Sequence, residues 1–198
     1  HRSRIGNHKE RKRRGARHRK RQANELQKEE INMCGIIGVA SNRPVVDKLI
    51  TGLVRQEYRG YDSAGLAVFG HDQNIHVFRR LGKVTELQNA LAGNPLPGST
   101  GIAHTRWATH GLPTEVNAHP HHSNNKVFVI HNGIIENHQE IRTTLKALGY
   151  SFESETDTEV IAHLIHAKMS ENGLPLMEAL RVAVKDLQGA YAIGAVCE

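Results

Sequence analysis

A chain of 198 residues with 38% hydrophobic content is long enough to bury one sizeable core. No apolar run nears the roughly 18 residues of a membrane span, none follows the basic start as in a secretory signal, and two cysteines are too few for a disulfide scaffold, so a cytoplasmic protein is expected. The net charge of +6 is uneven: residues 1–32 hold 12 of the 26 Lys and Arg and 4 of the 20 Asp and Glu, leaving +8 there and −2 on residues 33–198.

Residues 1–32 are nearly free of apolar side chains and cannot build a core. They read either as a nucleic-acid or membrane-surface arm or as an upstream stretch before a start at Met33, and the abrupt change of pattern at Met33 favours the second. The body is not expected to bind nucleic acid. From there CGIIGVA (34–40) has strand length. Pro44 suits a first helical turn, and Val45, Val46, Leu49, Ile50, Leu53 and Val54 form an apolar helical stripe. SAGLAVFG (63–70) and NIHVFRRLG (74–82) read as paired strands around a turn. VTELQNALAG predicts a short helix ended by Gly93, then a Pro-containing loop. TGIAHTRW (100–107) and KVFVIHNG (126–133) predict strands flanking a polar, histidine-rich loop.

HQEIRTTLKALG (138–149) predicts a helix opened by Asn137 and closed by Gly149. Thr156 to Glu159 has the spacing of a capping box for the next helix, on which His163 and His166 suggest a partly exposed face. A further helix is expected from about Leu176 to Leu187, and GAYAIGAV starts a last strand that could lack a neighbour. Strands alternating with helical pairs give an α+β layered fold.

Several residues could do chemistry. Cys34 follows Met33, and removal of that Met would give Cys34 a free α-amine with a pKa of about 7.7–8.0, so one residue would hold both nucleophile and base. A lone cysteine is otherwise most simply a small buried apolar residue. YRGYDSAG (58–65) sets Arg59 near Asp62, which a surface turn with a weak ion pair would also explain. HTRWATHG (104–111) brings Arg106, suited to grip a carboxylate through two parallel hydrogen bonds. Asn132 and Gly133 at a strand end could form an oxyanion hole. Asp157 opens a helix, where a favourable dipole interaction accounts for it equally well. His119, His121 and His122 cluster, yet no Cys/His pair has finger spacing, so no metal is expected, and no cofactor is called for.

Taken in order, MCGIIGVA, EYRGYDSAG, HTRWATHG, AHPH, HNGIIENH and SETDTEVIAH, spread over residues 33–166, resemble the class II glutamine amidotransferases with N-terminal nucleophile chemistry. The resemblance implies a four-layer αββα sandwich of the N-terminal-nucleophile hydrolase type. It makes residues 33–198 a glutaminase domain with its final strands missing. It also implies roles: Cys34 attacks the glutamine amide carbon while its α-amine relays the proton, and Asn132 with Gly133 holds the oxyanion. Arg106 binds the substrate α-carboxylate and Asp157 its α-ammonium. Thr109 and His110 line the glutamine loop beside Trp107, which resembles the gate of an ammonia channel. Arg59 and His119 orient the site.

The motif variants resemble those of members that pass ammonia to fructose 6-phosphate, which implies that acceptor and a homodimer formed through further domains. The phosphoribosyl-transferring branch is the alternative within the family. An inactive fragment with a nucleic-acid-binding basic arm is the alternative outside it, since a chain with residues ahead of Cys34 has no free α-amine there.

Overall fold

The computed structural model describes residues 34–94, 96–108 and 111–198, so the basic extension, Thr109 and His110 lie outside the described residues. Strand β1 (Gly35–Ala40) comes first, followed by helix α1 (Val46–Gln56) and a short 3-10 turn (Glu57–Arg59). The helix has Asp47 in its first turn and Arg55 in its last, as the helix dipole favours, and buries Leu49, Ile50 and Leu53. Strands β2 (Ser63–Gly70) and β3 (Ile75–Leu81) form the expected hairpin, and α2 (Val84–Leu91) leads to β4 (Gly98–Arg106). These strands make one antiparallel sheet in the order β1-β4-β2-β3. Six residues of β2, from Ser63 to Val68, are buried, because the strand lies inside the sheet with both faces covered.

The second sheet has the order β5-β6-β7, formed by β5 (His121–Ser123), β6 (Val127–Ile135) and β7 (Gly189–Cys197). Between β6 and β7 lie α3 (His138–Ala147), α4 (Glu159–Asn172) and α5 (Leu176–Ala183). Strand alternation explains how the layers stack, because successive side chains point to opposite faces. On β6, Phe128 and Ile130 meet Ala67 of β2 and Ile102 of β4 in an apolar layer between the sheets. Val127 and Val129 face the other way, onto α3, α4 and α5. Ala64, Leu66, Val68 and Ala103 turn outward from the first sheet onto α1 and α2. The result is a helix–sheet–sheet–helix sandwich, an α+β architecture of four layers. No helix among the described residues is long and apolar enough to cross a membrane.

Several local expectations are corrected. β5 forms inside the stretch read as polar loop, where His121 and Ser123 are buried and pair with Val129 and Val127. α4 starts at Glu159 with no side-chain cap bond from Thr158. In place of a capping box, Thr156 turns to His121, and the Glu159 carboxylate accepts the N–H groups of Glu153 and Ser154 and the Ser154 hydroxyl. Asn137 does not cap α3 through its side chain; its amide joins Asp186 O and Gln188 N, fastening α3 to the start of β7. α5 stops at Ala183, four residues short of the expected Leu187. His163 is buried rather than on an exposed face, and β7 is not alone, pairing with β6 from Gly189 to Cys197.

Gly65 shows how closely the layers approach. A Cβ there would land on the carbonyl oxygens of His119 and Phe78. Gly65→Ala should therefore destabilise the fold by about 1–3 kcal/mol, read as a lower urea midpoint with an unchanged slope. An unchanged midpoint would mean that His119 does not sit against β2.

Candidate active site

Cys34 stands at the head of β1, half-buried, at the end of the sandwich where β4 finishes. The β1–β4 register pairs Gly35 with Thr105, so the next residues on either strand meet. The Trp107 N–H donates to Cys34 Sγ at 3.2 Å. Two side chains hold the first residues of β1: Thr105 Oγ1 accepts the Gly35 N–H at 3.0 Å, and Gln56 Oε1 accepts the Ile36 N–H at 3.1 Å. From the opposite sheet Asn132, on the same face of β6 as Phe128 and Ile130, donates through Nδ2 to the Cys34 carbonyl at 2.8 Å. Gly133 follows at φ 118, where a Cβ would strike the Ala190 carbonyl, so only glycine serves there. Burial pushes the Cys34 thiol above its ordinary range; the Trp107 amide and the Arg106 charge oppose this, and Asp62 adds to it. At neutral pH the sulfur carries its proton and needs a base.

Arg106 ends β4 on the inner face and is buried. Its guanidinium donates to the carbonyls of Gly111 and Leu112 at 3.2 Å each and lies 3.8 Å from Asp62 Oδ1. The loop beyond is tied down at its far end. Asn117 donates to Leu112 O (2.9 Å) and Glu155 Oε2 (3.1 Å), and accepts the Glu155 N–H at 2.9 Å. Glu155 belongs to the segment that ends in Asp157, whose Oδ2 accepts the Ile135 N–H at 2.8 Å. Arg142 of α3, stacked on Phe152 at 4.3 Å, donates to Ser154 O and Thr156 O and braces the same segment. The Arg106 cation, the carboxylates of Asp62, Glu155 and Asp157, the Cys34 thiol and the Asn132 amide are thus gathered towards one end of the sandwich.

Behind them lies a buried layer of histidines. His104 Nε2 sits 2.8 Å from Asn132 Oδ1 and 3.0 Å from His131 O. His119 stacks on the His104 ring with centroids 4.0 Å apart, and its Nε2 meets Thr158 Oγ1 at 2.8 Å, as His131 Nδ1 does at 3.0 Å. His121 meets Thr156 Oγ1 at 3.0 Å, and His163 meets Ser123 Oγ at 2.8 Å. Burial disfavours the imidazolium, so His104 and His121 are held at about 3 and His119 well below its ordinary value. Among the described residues no three His, Cys, Asp or Glu are grouped to hold a metal ion.

Of the residues singled out from the sequence, Cys34, Trp107 and Asn132 meet directly, while Gly133, Arg106 and Asp157 lie on the strand and segments that surround them. Trp107 is 41% exposed, at the mouth of the site. His119 sits one ring further back, against His104. The side chain of Arg59, in the 3-10 turn, makes no hydrogen bond or ion pair among the described residues. Thr109 and His110 lie outside them. Sequence reasoning missed Glu155 and Asn117, and placed His104 near His119 without giving it a part in the site. His104 had a signal: it stands two residues before Arg106 on a strand, and so on the same face.

Residues 104–197 match the sequence model of a family described as "Glutamine amidotransferase domain". The glutamine–fructose-6-phosphate aminotransferase (isomerizing) of Pseudomonas aeruginosa is 57% identical over 164 residues, covering 83% of this chain and 27% of the relative. Its Pseudomonas putida counterpart is 58% identical over 165 residues, with the same coverage. The chain thus spans about a quarter of the length of the curated relatives it matches. Among solved structures, the glutamine phosphoribosylpyrophosphate amidotransferase of B. subtilis superposes with a TM-score of 0.70 at 27% identity, over 83% of this chain and 35% of that one.

Proposed function

Since this chain carries a glutamine amidotransferase domain, we propose that residues 33–198 hydrolyse the side-chain amide of glutamine to glutamate and ammonia, with Cys34 as nucleophile. The observation that carries this is the meeting of Cys34 and Asn132, residues 98 apart in sequence, through a 2.8 Å hydrogen bond between opposite sheets. Sγ attacks the amide carbon, and the oxyanion that forms takes the second Nδ2–H of Asn132 and the Gly133 N–H. The carbon–nitrogen bond breaks, ammonia leaves with the proton held by the Cys34 α-amine, and water then cleaves the thioester. Arg106 and Asp157 hold the carboxylate and ammonium of the substrate at opposite ends. Trp107, exposed at the mouth, closes over the pocket.

The amide donor gives a direct test. Asn132→Ala should lower kcat for glutamine hydrolysis by about 10²–10³-fold while circular dichroism stays native. Near-normal turnover would overturn the assignment of the oxyanion hole.

The acceptor reading follows from the relatives. Identity of 57% and 58% to fructose-6-phosphate aminotransferases, against 27% to the phosphoribosyl enzyme, supports fructose 6-phosphate as the destination of the ammonia, giving glucosamine 6-phosphate. That half of the reaction, and any homodimer contacts, would belong to a part of the enzyme beyond the glutaminase domain.

A further inference from the structure

His104 crosses the gap between the sheets. It stands on the inner face of β4, whereas both of its Nε2 partners, His131 O and Asn132 Oδ1, belong to β6. The tautomer follows from the partners. A backbone carbonyl only accepts, so Nε2 carries the proton and the ring, buried at 1% exposure, is neutral. Nδ1 has no hydrogen-bond partner among the described residues, consistent with the proton sitting on Nε2. The Asn132 amide is therefore defined from both ends, with its oxygen on the His104 N–H and its nitrogen on the Cys34 carbonyl. Turning the amide over would set oxygen against the Cys34 carbonyl and would leave the second acceptor of His104 replaced by a donor. It would also present a lone pair where the reaction develops negative charge.

We propose that His104 is a positioning residue for the oxyanion amide, its Nε2–H fixing which end of the Asn132 side chain faces Cys34; this rests on the glutaminase reading above. His104 touches no substrate and moves no proton. It makes one amide orientation dominant, so that the donor is in place before glutamine arrives, which is where an oxyanion hole gains most. His119, stacked on His104 and tied to Thr158, keeps the ring from swinging out of the gap.

Two variants separate orientation from mere packing. His104→Phe keeps an aromatic ring against His119 but removes the donor, and His104→Gln restores a donor on a different frame. In protein whose first residue is Cys34, His104→Phe should lower kcat for glutamine about 10–100-fold with KM changed less than threefold, and His104→Gln should recover part of the loss. In an Asn132→Ala background His104→Phe should cost less than about twofold more, because the group it orients is already gone. Full additivity of the two losses would overturn the proposal, as would an unaffected kcat in His104→Phe. If the unsubstituted protein hydrolyses no glutamine, the glutaminase reading itself fails, and the orienting role is then decided by the Asn132 side-chain ¹⁵N resonance. That signal should shift and broaden in His104→Phe or, if the phenylalanine variant does not fold, in His104→Gln; an unchanged signal overturns the role.

Discussion

Protein in which Cys34 is the first residue should hydrolyse glutamine at least about a hundredfold faster than the same protein carrying residues 1–33. Burial holds the Cys34 thiol above its ordinary range, so at neutral pH little thiolate exists without help. Among the described residues the sulfur meets the Trp107 backbone and no side-chain base. The nearest histidine layer is held neutral by burial, and His104 spends its Nε2 proton on acceptors of β6. An α-amine on Cys34 itself, with a pKa of about 7.7–8.0, would be a base in the same residue as the nucleophile. In a chain that continues upstream, that nitrogen is an amide and cannot take a proton. A positioned general base contributes about 10²–10⁴ in rate, and this sets the size of the expected difference. The kcat/KM of the Cys34-first protein should rise with pH through a single ionisation near that of an α-amine. Cys34→Ala should reduce both forms to background. Equal rates with and without residues 1–33 would refute the amine as base.

The histidine layer leads to the second large expectation, a collapse of stability in mild acid. An unfolded chain binds protons on its histidines at a pKa of about 6.5. In the folded protein burial holds His104 and His121 at about 3 and His119 well below its ordinary value. The folded-state values are depressed, so the stability is full above about pH 6.5 and is lost progressively as pH falls from there towards 3. By pH 5 His104 and His121 each cost about 2 kcal/mol, together about 4 kcal/mol, and His119 adds to this, which is comparable with the roughly 5–15 kcal/mol that holds a domain folded. Glu159 adds to the loss at lower pH. Burial pushes its carboxyl up, but hydrogen bonds from His163, Ser154 and the Glu153 and Ser154 N–H groups outweigh this and hold it at about 2. Unfolding followed by circular dichroism should therefore begin below pH 6 and reach its midpoint near pH 5. A native signal kept down to pH 4 would show that these rings accept protons without leaving the core.

Much of this was legible in the chain. The β2–β3 hairpin, the stripe of α1 and the strands β4 and β6 follow from local periodicity, which reports which face of an element is apolar. The candidate site was legible to the extent that Cys34, Trp107 and Asn132, picked from the ordered motifs of 33–166, come together in the fold. What escaped was decided by contacts distant in sequence. β5 is three residues long, and only its pairing with β6 makes it a strand. Thr156 and Glu159 have capping-box spacing, but His121 competes for Thr156, and the N–H groups of Glu153 and Ser154 compete for Glu159. His163 reads as a surface residue by type, yet Ser123 and Tyr150, from β5 and the approach to α4, enclose it. His104 was visible as a neighbour of Arg106 on one strand face, but its partner sits on a different sheet, which no local pattern reveals.

Cys34 and the Asn132 amide that reaches its carbonyl belong to different sheets, and what separates those sheets is a layer of hydrocarbon. Ala67, Ile102, Phe128, Ile130 and Val196 work as a spacer whose thickness sets the reach of Asn132 to Cys34. Evolution can thus retune the reactivity of this centre by trading a methyl group in a greasy interior, leaving every polar atom untouched.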